Sequence, residues 1–192
     1  MRKSDPAASK KERGKTARWV VSIFGITILV SGIISLVSDV IMESSGIFVA
    51  FVILLAIVLI GIVFDIVGMA VATAGEKPFH SMAARKVPGS QESIRLLRSA
   101  ERVSSICNDV VGDICGVVSG SASATIAALI LTQVDVGWPR GVSLVMSALV
   151  AGLTVGGKAI GKTFAVNSCT QIVHMVGKVL HALNGLHGKK KK

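Results

Sequence analysis

Asn108, Asp109 and Asp113 stand together at the mouth of a long apolar run, in the stretch Cys107-Asn108-Asp109-Val110-Val111-Gly112-Asp113-Ile114-Cys115-Gly116. Two carboxylates and an amide are hard oxygen donors of the kind that suit Mg²⁺. Asp109 and Asp113 are four residues apart and so share one helical face, with Gly112, Gly116 and Gly120 as a small-residue stripe beside them. A further donor, Asp65, ends an earlier apolar run. A carboxylate at the centre of a membrane helix costs about 2.5–3.5 kcal/mol on insertion scales, so such residues usually turn inward and mark ion or substrate paths. Two readings follow. Either Asp65, Asn108, Asp109 and Asp113 form a metal site, or the carboxylates sit at the interface and pair with Arg98, Arg102 or the segment that carries them.

The elements that must position these residues read as membrane helices. The 192 residues are 51% hydrophobic but only 17% charged, and no tyrosine occurs, whereas an ordinary soluble domain combines about 45–50% apolar with about 25% charged residues. Four runs are long enough to span: Trp19–Ser38, Ser44–Phe64, Ile114–Val134 and Gly141–Gly157. The spans are expected at 19–38, 44–66, 109–134 and 141–160, since a hydrocarbon core of about 30 Å takes about 20 helical residues; the second can continue as helix through Ile66–Gly75, and the third can begin before Asp113, the residues from Ser104 onward being helix-compatible. The first run has 20 uncharged residues, beyond a signal-peptide core, and reads as a retained helix.

Charge placement sets the expected topology. Of 21 Lys and Arg, 7 precede the first run, none lies between the first and second, 6 lie between the second and third, 1 between the third and fourth, and 7 follow the fourth. Positive residues mark the cytoplasmic side, so the expected topology is in-out-in-out-in, with a basic tail at 1–18, another at 184–192, and both termini cytoplasmic. The net charge of +10 then needs no nucleic acid. The expected location is the cell membrane, where Lys189–Lys192 can also touch anionic head groups.

Between the second and third spans, Pro78 can open a helix, Pro88-Gly89 breaks it, and Ser90 can cap a second helix to Arg102. A helical hairpin over 78–102, lying in the plane of the inner surface, is expected. Residues 163–183 alternate apolar and polar groups as a juxtamembrane helix would, either at the interface or packed on the bundle.

Other motifs carry less. Gly156-Gly157-Lys158-Ala159-Ile160-Gly161-Lys162-Thr163 fits the phosphate-loop pattern, but a membrane span precedes it and no Asp or Glu follows Asp135, so no nucleotide is expected. Its glycines read as close helix packing, with Lys158 and Lys162 at the interface. Cys107, Cys115 and Cys169 lack ligand spacing and read as reduced thiols. His174 and His181 share a face without a carboxylate in sequence, and no catalytic set can be assembled, so no enzyme is expected.

The order of parts resembles the transmembrane domain of CNNM/CorB/CorC-type magnesium transporters. Residues 64–75 look like the end of that family's first span, and Phe79 to Arg102 like its helical belt. Ser105-Ile106-Cys107-Asn108-Asp109-Val110-Val111 is similar to its Gly-Asn-Asn segment, and Gly157-Lys158-Ala159-Ile160-Gly161-Lys162-Thr163-Phe164-Ala165 to its Gly-Glu-x-x-Pro-Lys-Thr-x-Ala motif. The resemblance covers about Ser44 to Leu183 and leaves an extra leading span. Asp65-Ile66-Val67-Gly68-Met69-Ala70 replaces the family's Ser/Glu-bearing motif, Lys158 stands where the family has Glu, Gly161 where it has Pro, and no CBS pair is present. The resemblance implies transport, or a transport-related role, for a divalent cation, Mg²⁺, with Asn108 the member carried over. The alternative is a scaffold or regulatory subunit without an ion pathway. The expected fold is therefore all-α: a polytopic membrane protein in the lipid bilayer, with four transmembrane helices, the in-plane hairpin and the juxtamembrane helix. A homodimer through the glycine-rich third and fourth spans is expected with it.

Overall fold

The computed structural model describes the backbone of residues 6–44, 46–134 and 137–188, and the side chains of residues 20–42, 46–134 and 137–184. The chain is all-α. Among the described residues the order is α1 (Pro6–Ser44), α2 (Ile47–Thr73), α3 (Lys77–Ala84), α4 (Ser90–Arg98), α5 (Ala100–Ser105), a π-helical segment (Ile106–Gly112), α6 (Asp113–Gln133), α7 (Pro139–Asn167) and α8 (Cys169–Gly188). Four stretches are long and apolar enough to cross a membrane: Val20–Met42, Ile47–Thr73, Ala100–Gln133 and Pro139–Asn167. Their outer faces carry large apolar side chains, Phe48 81% and Ile160 75% exposed, a surface suited to hydrocarbon rather than water.

Helix α2 is the hub, packing against both α6 and α7, which also pack on each other, while α1 lies on α6. Glycines set these close approaches. A Cβ at Gly61 would lie 2.8 Å from Cys115 Cβ on α6, and one at Gly161 would lie 2.8 Å from Ile66 Cγ1 on α2. A Cβ at Gly157 would run into Ile62, so Gly157 and Gly161 of the phosphate-loop-like stretch are helix-packing positions against α2, whereas a Cβ at Gly156 meets nothing within 4 Å. Leu54, Val58, Ala122 and Ile126 form an apolar core at one end of the bundle. Buried Ser119 and Ser123 donate to the carbonyls of Gly116 and Gly120 at 2.9 and 2.8 Å, so these hydroxyls are satisfied inside their own helix.

Several helices run further than the apolar runs. α2 continues eight residues beyond Asp65, because nothing in Ile66–Thr73 breaks a helix, so Asp65 is interior to α2 rather than its end. The third span begins at Ala100 rather than 109, with α5, the π segment and α6 continuous. α7 extends to Asn167, and the break to α8 falls at Ser168 (φ −117°, ψ 20°) rather than before residue 163. The Lys189–Lys192 cluster and Asp135 lie outside the described residues.

The hairpin forms from α3 and α4, with Pro78 in the first turn of α3. Ser90 does not cap: its hydroxyl donates to the Val87 carbonyl at 2.7 Å, and Gly89 takes the N-cap position. Gly89 has φ 83°, and a Cβ there would stand 2.6 Å from the Lys178 nitrogen, so both its left-handed backbone and the nearness of α8 call for glycine. On the same face Ser93 donates to the Val173 carbonyl at 3.1 Å. Thus α8 packs on α4 and α2 and buries Val173, the packed one of the two placements open to it from sequence.

Candidate functional site

Asp65 is the buried carboxylate of this bundle, its side chain 5% exposed. Two lysines of α7 face it. Lys158 Nζ stands 3.8 Å from Oδ1 and Lys162 Nζ 3.9 Å from Oδ2, the two lysines being one helical turn apart. Both separations exceed hydrogen-bond length, so the contacts are charge pairs. Lys158 instead donates to the backbone carbonyl of Gly112 at 3.2 Å. Asp65 Oδ2 has no hydrogen-bond partner although it is buried.

The π-helical segment supplies the opposite wall. A π turn widens the helix and shifts which side chains face a neighbour. Here Gly112 faces Asp65: a Cβ on it would lie 3.1 Å from Asp65 Oδ1 and 3.4 Å from Lys158 Nζ. Four residues earlier, Asn108 sets its side chain in the notch left by Gly68, which lies one turn beyond Asp65 on α2. Asn108 Oδ1 is buried there without a hydrogen-bond partner. Asp65 Oδ2 and Asn108 Oδ1 on this interface are therefore without hydrogen bonds, Oδ2 having only the charge contact of Lys162.

The four residues expected to hold a metal divide into two pairs. Asp65 and Asn108 lie on one interface, between α2 and the π segment. Asp109 and Asp113 are exposed, and Asp109 accepts a hydrogen bond from Ser105 Oγ at 2.8 Å. The single cluster of three carboxylates expected from their common depth does not form: no group of three or more His, Cys, Asp or Glu side chains among the described residues could hold a metal ion. The reason is register. The face formed by Asn108 and Gly112 turns toward α2, so its neighbour, carrying Asp109 and Asp113, turns away. Exposed carboxylates are costly in hydrocarbon, so Asp109 and Asp113 suit the level of the head groups rather than the centre of a span.

The partners of Asp65 also differ from those expected. Lys158 and Lys162 pair with it, in place of Arg98 or Arg102. The only signal for them was the spacing: two lysines four apart share one face of a glycine-bearing helix that has no acid of its own. Glu92 and His181 were likewise unpaired in sequence. Across α4 and α8, His181 Nδ1 donates to Glu92 Oε1 at 3.0 Å, and this hydrogen bond holds the Glu92 carboxyl below the ordinary glutamate range.

The fold and site define an α-helical membrane protein with four candidate spans and a polar centre where α2, α7 and the π segment meet. Comparison with protein families, with curated proteins and with solved structures finds no match to this chain.

Proposed function

We propose that the chain is a CorB-like membrane protein with a transport or transport-related role for a divalent cation, Mg²⁺, and no catalytic activity. The observation that carries this reading is the pair of buried oxygens without a hydrogen bond, Asp65 Oδ2 and Asn108 Oδ1, on the interface between α2 and the π segment. Buried polar atoms are satisfied almost everywhere, so two orphaned oxygens on one interface call for an explanation, and a hydrated cation supplies one. Mg²⁺ keeps several of its waters and binds through one or two carboxylates. One buried carboxylate with nearby neutral oxygens suits such a hydrated ion. The resemblance of the Asn108 segment to the family's Gly-Asn-Asn stretch supports the same assignment.

In this reading the positive-inside distribution puts both termini, the hairpin and the Asp65 centre at the cytoplasmic face of the cell membrane. A homodimer forms along α6 and α7, where the open groove beside Gly116, Gly120, Ser147 and Ala151 admits a close helix.

The second reading, a scaffold without an ion pathway, is favoured by one specific observation: two ammonium groups already neutralise Asp65. Reconstituted vesicles separate the two. Mg²⁺ flux above protein-free vesicles in the wild type, abolished by Asp65→Asn, is the expected result. Flux equal to that of empty vesicles assigns the scaffold role instead, and flux above that level but unchanged in Asp65→Asn removes Asp65 from the ion path.

A further inference from the structure

We propose that Lys158 is a tethered cation: its ammonium holds the position of the transported ion, and Mg²⁺ binds only when that lysine withdraws. The inference rests on the cation-transport reading of the same site and adds how the site is regulated.

Three features of the geometry carry it. First, Lys158 Nζ does what a bound cation does, standing 3.8 Å from the Asp65 carboxylate while taking the Gly112 carbonyl oxygen at 3.2 Å. Second, its occupation is incomplete. An ammonium has three donors but no acceptor, and this one leaves Asp65 Oδ2 and Asn108 Oδ1 without hydrogen bonds. A hydrated divalent cation brings both charge and several water donors, so it can serve acceptors that one ammonium cannot reach. Third, the lysine has somewhere to go. Lys162, one turn further along α7, is 50% exposed against 21% for Lys158, which puts the outer end of the site within reach of solvent. A flexible four-carbon stem can carry the Lys158 ammonium outward in the same direction.

Gly112 makes the exchange possible. Its missing side chain is the space between the carboxylate and the ammonium, where a Cβ would stand 3.1 Å from Asp65 Oδ1 and 3.4 Å from Lys158 Nζ. The two occupants are mutually exclusive, because both need the face of Asp65 and the Gly112 carbonyl. The wild-type affinity for Mg²⁺ is thereby reduced by the fraction of molecules whose lysine is withdrawn. Release of the ion is assisted by the lysine returning.

The test uses the full-length protein in detergent, with MgCl₂ titrated at constant ionic strength and thermal unfolding as the readout, since a ligand stabilises the state it binds. Lys158→Met removes the tethered charge, and Lys158→Gln removes it while keeping a donor for the Gly112 carbonyl, so the Gln variant decides the matter if the Met variant does not fold. The expected result is a Mg²⁺ midpoint at least tenfold lower in either variant than in the wild type, lost again when Asp65→Asn is added. Equal midpoints in wild type and Lys158 variants overturn the tether while leaving the transport reading in place. Absence of any Mg²⁺ effect in all of the proteins overturns both, and an equal effect from NaCl overturns the divalent class.

Discussion

A thermodynamic cycle on Asp65 and Lys158 measures how far the polar centre depends on this pair. Two unit charges near 4 Å attract by about 4 kcal/mol at an effective dielectric constant of 20, before desolvation is subtracted. Asp65 is 5% and Lys158 21% exposed, so the pair belongs with buried ones, where removing one partner costs about 3–5 kcal/mol because the other charge is stranded. Asp65→Asn strands Lys158; Lys158→Met strands Asp65, with half-exposed Lys162 as its remaining partner. Each single change is expected to destabilise by about 3 kcal/mol. The double variant removes both charges and loses chiefly the bond to the Gly112 carbonyl, a cost of about 1–3 kcal/mol. The singles add to about 6 kcal/mol, so the coupling is about 3–5 kcal/mol. Lys162→Met, at an exposed position, should cost no more than about 1 kcal/mol. Unfolding free energies in mixed detergent micelles give all the terms. A coupling below about 0.5 kcal/mol, the limit for independent sites, would refute the argument.

Two further outcomes follow from other parts of the fold. The Glu92 carboxyl is held below its ordinary value of 4.5 by the hydrogen bond from His181. The contact therefore contributes stability above that pH, and this is lost as the pH falls through the lowered folded value. The melting temperatures of wild type and Glu92→Gln should differ at neutral pH and converge in acid; a gap that persists at low pH would mean that the ionised carboxylate is not what ties α4 to α8. At Gly120 an added Cβ meets nothing within 4 Å inside one chain, so Gly120→Ala should leave the melting temperature unchanged, while Gly120→Leu, which fills the groove, should convert the proposed homodimer to monomer by light scattering. A dimer that survives the substitution places the interface elsewhere.

The fold was legible because the signals behind it are additive along the chain. Twenty or so apolar residues commit a segment to the bilayer whatever its neighbours do, and the extreme composition left no competing class. Helix ends were less legible. Asp65, Asp113 and Lys158 interrupt apolar runs, yet each lies within a continuous helical stretch that the sequence left open, because a charge with a partner or with access to the head groups does not end a helix. Ser90 shows the same limit locally: it has the chemistry of a cap, but the left-handed turn at Gly89 moves the cap by one residue and leaves the hydroxyl to the Val87 carbonyl.

The site was legible by type and not by register. In the Asn108 to Asp113 stretch, two adjacent faces each carry a polar residue and its partner four positions on, Asn108 with Gly112 and Asp109 with Asp113. Periodicity alone gives both faces equal claim to the interior, and charge favours the wrong one if a metal is assumed in advance. What decides is α2. Gly68 offers a notch that only a side chain reaching across from the other helix can fill, and Asp65, one turn earlier, needs a neighbour without a Cβ. Asn108 and Gly112 meet both demands at the spacing that the π segment provides, leaving Asp109 and Asp113 outside. The lysines then follow from charge: with the other acids turned outward, the only cations that α7 can bring to Asp65 are those it carries one turn apart. A site that looks acidic in sequence is thus, in three dimensions, a single carboxylate faced by two ammonium groups, and its capacity for a metal ion depends on whether Lys158 can leave.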